Sequence, residues 1–346
     1  MERQIVSQIH DIAESIDRLI TVDMCPPHLP RGSLVPLYDA AVAQVGKPLS
    51  LAAAEELRNV CEEDRWVIIS TGFVLKPYMP FGESDGPIGA VALARSINRA
   101  FKSKILVVTE SECVEPIKAI FVSAGLLPMP YDVAQEVSQS ITVEPFPVDP
   151  IQAENEAARI YKELDPVAMI TLEKVGRNEK GVYQTSPGGD MSKWAAKVDI
   201  LFDLLRDNGR PTIGIGDYGN EIGLGSLIDT VKMIAPTARK CTCPCGAGIA
   251  TTVEAKVPFV AAISNWGAYG ICACLAAMLG DKNILHDSDT ERRMVEQASL
   301  AGLCDGTTVK PSFSVDGVSL DGQVAINILL HEIIRTKTEK VQFVRN

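Results

Sequence analysis

Two hydrophobic rhythms run along the chain. In residues 1–65 apolar positions recur at helical spacing, as in Ile5, Ile9, Ile12, Ile16 and Leu19, which predicts a helical N-terminal segment. The PPHLPRGSLVP stretch (Pro26–Pro36) punctuates it and reads as a linker or a lid, because Pro and Gly there oppose regular structure. From residue 66 the rhythm changes to short, fully apolar runs: WVIIS (66–70), KILVVT (104–109), SITVEPF (140–146), VAMITL (167–172), PTIGIG (211–216) and FVAAIS (259–264). Helical patterns follow them at 86–101, 113–125, 150–164, 190–208, 223–235 and 267–279. A helix near 288–302, a Gly- and Asp-rich patch at 305–322 and a helix near 323–337 complete the chain.

Continuous apolar strands alternating with helices predict an α/β fold, with mostly parallel sheet flanked by helices on both faces. The Pro-rich EPFPVDP run (144–150) suggests a division into a first α/β part, 66–150, and a second, 151–346, with the active site between them. The 346 residues are 46% hydrophobic, enough for a large core. Net charge is −11, from 33 Lys and Arg against 44 Asp and Glu. With no basic block, a nucleic-acid or anionic-membrane partner is not expected. The apolar stretches are too short or too interrupted to cross a bilayer. The N-terminus lacks the basic and apolar regions of a signal peptide. Nine cysteines without a secretory signal predict a reducing, cytoplasmic setting.

Candidate chemistry sits where predicted strands end. After the first strand, Glu83 and Asp85 lie in a glycine-rich loop, and Asp85 is also placed to cap the helix beginning near Gly86–Pro87. Glu173 ends the fourth strand, and Arg177, Asn178 and Asp190 follow in a loop. Arg177 suits a carboxylate through a bidentate pair, or a surface ion pair, and Asp190 is a candidate helix cap. The segment TIGIGDYGNEIGLG (212–225) carries Asp217, Asn220 and Glu221. It contains GxGxxG at Gly214, Gly216 and Gly219, but Asp217 and Glu221 would repel a pyrophosphate. The chain about twenty residues on reads ARKCTC, without the acid that a ribose needs, so no NAD is expected. Converging carboxylates suit a hard divalent cation, Mg²⁺ or Mn²⁺, or an ammonium group. After the sixth strand, Asn265 and Trp266 sit at a turn into a helix, where free N–H groups attract anions; capping and core packing are their alternatives. Asp316 and Asp321 each precede a glycine, which turn chemistry explains, while Asp316 is also a candidate to complete an acidic pocket. Cys241, Cys243 and Cys245 form a C-x-C-x-C run unlike the usual zinc ligand pairs, and buried or lightly reactive thiols are the expectation. The four histidines are scattered, and no serine-hydrolase or nucleotide-loop motif is present.

The wording and order of GESDGPIGAVALAR (82–95), EKVGRNEKGVY (173–183), GIGDYGNEIGLG (214–225) and SNWGAYG (264–270) resemble the D-glutamate cyclase C-terminal-like family, over roughly residues 60–335. Family members often carry glycine at the position of Tyr218, and Arg or Pro at those of Lys174 and Val175. The resemblance implies a carbon–oxygen lyase that dehydrates D-glutamate to 5-oxo-D-proline. Under that reading Glu83, Asp85, Asp217 and Glu221 form the acidic centre, as metal ligands and base, with Glu173 and Asp190 as further members. Arg177, Asn178, Asn220, Asn265 and Trp266 would contact substrate. The expected partner is a small, amino-acid-like molecule, and homo-oligomerisation is compatible with the sequence. A metal-dependent phosphate-ester hydrolase and a non-catalytic amino-acid-binding module are the alternatives.

Overall fold

A computed structural model describes residues 2–24 and 32–338. Three helices come first: α1 (Glu2–Ile20), α2 (Leu34–Val45) and α3 (Leu49–Val60). Then follow β1 (Trp66–Ser70), α4 (Pro87–Phe101), β2 (Lys104–Thr109), α5 (Val114–Ser123), α6 (Tyr131–Glu136), β3 (Ile141–Pro145), α7 (Pro150–Leu164), β4 (Ala168–Leu172) and α8 (Val198–Asp207). The chain continues through β5 (Thr212–Gly216), α9 (Ile228–Ile234), α10 (Pro236–Arg239), β6 (Val257–Val260), α11 (Ser264–Leu279) and α12 (Ser288–Leu300). A small antiparallel pair, β7 (Ser314–Val315) and β8 (Val318–Ser319), leads into α13 (Leu320–Thr338).

The six long strands form one parallel sheet in the order β3-β2-β1-β4-β5-β6. This is the doubly wound order. It reverses between β1 and β4, where loops at the carboxyl ends diverge and leave a crevice that α/β sheets use for ligands. Residue 150 begins α7, and the chain on either side of it shares this sheet, because β1 bonds to both β2 and β4.

Strand side chains alternate between two cores, as a period of two requires. Val67, Ile69, Ile105, Val107, Ile170 and Ile213 join the larger core with α1, α3, α4, α5 and α11. Ile68, Leu106, Val108 and Met169 join the smaller one with α7 and α8. Both faces are covered, so the strands read as unbroken apolar runs. Every residue of α11 from Ser264 to Ala277 is buried, as expected of a helix that is apolar all round. Among the described residues, no helix is long and apolar enough to cross a membrane.

The structure corrects several sequence boundaries, among them the helix expected at 223–235, which runs as α9 only from Ile228 to Ile234. The strand expected at 259–264 lies at Val257–Val260, and Ser264 instead starts α11. Its backbone N–H donates to the Asp85 carboxylate at 2.9 Å, a cap that the local sequence does not reveal. The helix expected at 190–208 begins only at Val198, because the preceding stretch is pinned by the Ala196 N–H, which donates to Glu110 Oε1 at 3.0 Å. The Pro-rich stretch leads into α2 from Leu34, and its residues 26–31 lie outside the described residues.

Behind the crevice, the fully buried Lys174 ammonium donates to Glu110 and, at 3.0 Å, to the Gly72 carbonyl. One ion pair thus ties together the segments that leave β1, β2 and β4. Removing one partner strands a buried charge, which costs about 3–5 kcal/mol, whereas neutralising both costs far less. Lys174→Met is therefore expected to lower the urea midpoint strongly, and the double variant Lys174→Met/Glu110→Gln to recover part of the loss. A single variant as stable as the parent chain would show that the pair does not brace these loops.

Candidate active site

The acidic residues reach the crevice on the segments that follow β1, β4 and β5 and on the tail that carries β7 and β8. The segment after β5 turns back over that strand, and only glycine permits this. A Cβ on Gly214 would stand 2.2 Å from the Ile222 carbonyl oxygen. Gly219, at φ +106°, donates its N–H to Glu221 Oε2 at 2.7 Å. The glycines thus fold the loop onto itself and aim Asp217, Asn220 and Glu221 inward. Glu173 leaves β4 with φ +47°, a left-handed conformation uncommon for glutamate. Its Oε2 accepts the Ser264 hydroxyl at 2.7 Å.

The loop after β1 brings Glu83 and Asp85. It is held from outside by the chain near Cys304, whose carbonyl accepts the Ser84 N–H at 2.8 Å and whose N–H donates to Gly82 at 3.0 Å. That tail segment also supplies Asp316. Buried Asp305 organises it by accepting the N–H groups of Thr307, Thr308 and Gly317 and the Ser314 hydroxyl.

The amino ends of α4 and α11 lie side by side and cap each other. The Asp85 carboxylate accepts the N–H groups of Ser264 (2.9 Å), Asn265 (2.8 Å) and its neighbour Gly86 (2.9 Å). In return, Asn265 Oδ1 accepts the N–H groups of Gly86 (2.9 Å) and Gly89 (2.6 Å), and its Nδ2 donates to the Ser84 carbonyl (3.1 Å). Two helix amino ends are therefore directed at the carboxylates, and their partial positive charge favours negative groups there.

The resulting pocket has a volume of about 430 Å³. Glu83, Glu173, Asp217, Glu221 and Asp316 line it, and among the described lining residues there is no Lys, Arg or His. Phe73, Leu75, Met79 and Ile263 form an apolar side. Two overlapping trios, Asp85–Asp217–Asp316 and Glu173–Asp217–Glu221, each place one oxygen per residue within 4.8 Å of the others, close enough to hold a metal ion. Two buried oxygens, Asn220 Oδ1 and Glu221 Oε1, have no hydrogen-bond partner among the described residues. Buried acceptors of this kind call for a donor or a cation.

Crowding changes the acidity of the cluster. Burial, then the charges of Glu173, Asp316, Asp85 and Glu221, push Glu83 well above the usual carboxylate range. Burial, then Asp217 and its neighbours, do the same for Glu173. Burial and Asp85 raise Asp316. Glu221 is also raised by burial, against the opposing hydrogen bond from Gly219. Burial lifts Asp85 to about 6 even though three backbone N–H groups favour its ionised form.

The remaining sequence candidates lie elsewhere. Arg177 pairs with Asp199 and Asp203 on a separate depression shared with Tyr183 and Lys197. Asn178 braces its own loop, accepting the Lys180 and Val182 N–H groups and donating to Gly248. Asp190 is exposed and accepts the Ser192 N–H at 2.9 Å. Trp266 is fully buried and donates to Gln323 at 2.6 Å. Asn265 reaches the pocket only through its capping bonds. Thr185 and Tyr218 also line the pocket; Thr185 carries no motif, and Tyr218, inside the 214–225 segment, is marked in the sequence only as a departure from the family's glycine.

The model of the D-glutamate cyclase-like, C-terminal family matches residues 38–331. Human mitochondrial D-glutamate cyclase is similar to this chain, at 27% identity over 221 residues, covering 61% of this chain and 32% of that protein. The matched stretch thus spans about a third of the relative's length. The segments that carry Glu83, Asp85, Glu173, Asp217, Glu221 and Asn265 all fall inside the matched region, and the chain belongs to the D-glutamate cyclase-like, C-terminal family.

Proposed function

We propose that the pocket binds a divalent cation, Mg²⁺ or Mn²⁺, together with an amino dicarboxylate, and that the chain cyclises D-glutamate to 5-oxo-D-proline with loss of water. The observation that carries this reading is a pocket at the switch point of the sheet, walled by five acids and, among the described residues, by no base. Such a wall repels glutamate unless a cation offsets its charge. The family and the name of the human relative supply the substrate class.

The oxygen donors of Asp85, Asp217 and Asp316, or of Glu173, Asp217 and Glu221, would hold the cation. When bound, it supplies Lewis acidity to the substrate's γ-carboxylate. The chain's own groups manage the protons. Asn220 Oδ1 is free to accept an ammonium N–H, because its Nδ2 already donates to the Gln184 carbonyl at 3.0 Å. Glu221 Oε1, also without a partner among the described residues, accepts the proton that frees the amine to attack the γ-carbon. Glu83, whose acidity burial and the neighbouring carboxylates weaken, donates to the oxygen that departs as water. The nitrogen–carbon bond forms as one carbon–oxygen bond breaks. Nitrogen gives its first proton to Glu221 and, after attack, its second to Glu83, while the departing oxygen takes one proton from each, so both acids are restored and water leaves. The apolar side formed by Phe73, Met79 and Ile263 limits competing water.

A second reading draws on Asp217, which belongs to both trios. A carboxylate shared by two cation sites is the arrangement of two-metal phosphate-ester hydrolysis. Phosphate release with Mn²⁺, and no 5-oxoproline from D-glutamate, would favour it.

With Mn²⁺ supplied, the chain is expected to form 5-oxoproline from D-glutamate. Glu221→Gln is expected to lower kcat by about 10²–10⁴-fold, while Asp190→Ala stays within about twofold because Asp190 is exposed. Equal effects of both substitutions would contradict the assignment.

The raised acidities also set a sign. In the cation-free protein, these carboxyls keep protons when folded that they release when unfolded. Their contribution to stability is full below about pH 4 and falls as pH rises, through about 6 for Asp85, with Glu83, Glu173 and Asp316 contributing with the same sign. A cation needs the ionised forms, so its stabilisation grows in the same direction. The rise in Tm caused by Mn²⁺ is expected to be larger at about pH 8 than at about pH 5.5, reaching about 2.7 kcal/mol of stabilisation at a hundredfold excess over Kd. A shift independent of pH would show that the cation does not bind these acids.

A further inference from the structure

The loop between α10 and β6 holds a second cluster of different chemistry. Cys241, Cys243 and Cys245 alternate with exposed Thr242 and Pro244, and the curl of the chain turns all three sulfurs to one side. The Sγ atoms lie 3.4 Å (Cys241–Cys243), 3.4 Å (Cys241–Cys245) and 3.2 Å (Cys243–Cys245) apart. The sequence spacing argued against a thiolate metal site because ligand pairs usually have more residues between them. The structure removes that objection by bringing the sulfurs together through the turn.

Two buried amides face this cluster. Gln184 Nε2 donates to Cys243 Sγ at 2.9 Å and lies 3.5 Å from Cys245 Sγ, and Asn178 Nδ2 reaches Cys245 Sγ at 3.5 Å. Thiol sulfur is a weak acceptor, whereas thiolate is a strong one. Amide donors directed at sulfur are the outer contacts that orient and tune thiolate ligands. A disulfide would need two sulfurs at about 2.0 Å and would leave the third aside; three nearly equidistant sulfurs suit a shared ion. Spreading to the roughly 3.8 Å separation set by metal–sulfur bonds of about 2.3 Å requires only a small opening of the triangle.

We propose that Cys241, Cys243 and Cys245 bind one thiophilic closed-shell cation of the Zn(II) or Cu(I) kind as a trithiolate, and that this ion fixes one wall of the acidic pocket. Soft sulfur donors select such ions over Mg²⁺ and Mn²⁺, so the two clusters sort cations by ligand chemistry. Each ligating thiol gives its proton to solvent as the metal–sulfur bond forms. Half-buried Cys243 and Cys245 leave a fourth position accessible from solvent. The connection to the pocket is short: Cys243 contacts Gln184, and the Gln184 carbonyl accepts the Asn220 amide at 3.0 Å. Thr242 Oγ1 donates to the Gly188 carbonyl at 2.9 Å, just beyond the wall residues Thr185, Ser186 and Pro187. The site stands on its own geometry, whatever reaction the pocket performs.

The test is a Co(II) titration of the full, fully reduced, metal-free chain, followed by Zn(II) and, separately, by Cu(I) with a chromophoric competitor. Expected is a thiolate-to-cobalt charge-transfer band that saturates at about one equivalent per chain and is bleached by Zn(II) or Cu(I). Glu221→Gln should keep the band and Cys243→Ser should lose it. Because a serine variant can misfold, the parent chain is also alkylated with and without Zn(II). Mass mapping should then show Cys241, Cys243 and Cys245 selectively protected by the metal. Absence of the band in reduced protein, a band unchanged in folded Cys243→Ser, or a disulfide within the cluster after reducing purification would each overturn the proposal.

Discussion

Mutual repulsion among carboxylates is the constraint to which the rest of this structure answers. Glu83, Asp85, Glu173, Asp217, Glu221 and Asp316 are gathered with no cationic side chain on the pocket wall among the described residues. Desolvation and like charge both oppose that arrangement. What offsets it is backbone: the amino ends of α4 and α11, held side by side by the exchange of caps between Asp85 and Asn265. The buried pair of Lys174 and Glu110 then fixes the segments behind the pocket. The cost that remains is the reason a cation fits here, since positive charge converts repulsion into ligation.

Much of the scaffold was legible in the sequence. The runs at 66–70 and 104–109 match β1 and β2 at both ends, and α7 matches residues 150–164. These elements are strongly patterned, and their ends carry local signals, such as Asp149, whose side chain caps α7 ahead of Pro150. Boundaries failed where a distant group decided them. Ser264 starts a helix because Asp85, far away in sequence, accepts its N–H. The stretch 190–197 stays irregular because Glu110, from another strand, holds Ala196. Neither partner is visible in a local window.

The site divides in the same way. The acids after β1, β4 and β5 announce themselves by position, on glycine-rich loops at strand ends, and the structure gathers them. Asp316 gave a weaker signal because an Asp-Gly pair is explained by a turn alone; only the fold of the tail around Asp305 shows where it points. Arg177 had the chemistry for a carboxylate, but Asp199 and Asp203 on α8 claim its guanidinium. Trp266 sits next to a site residue in sequence, yet helical geometry turns it into the core toward Gln323. The clustering of the cysteine sulfurs was not legible from their spacing, because residue counting does not see a curled loop.

The central claim is that carboxylates from separate strand ends meet to hold a hard divalent cation. Anomalous diffraction from crystals of the full chain soaked in Mn²⁺ tests it most directly. The account predicts a manganese peak in the pocket, with oxygens of Asp217 and at least two of its trio partners at about 2.1 Å. A pocket without manganese, or manganese bound only elsewhere on the chain, would contradict it.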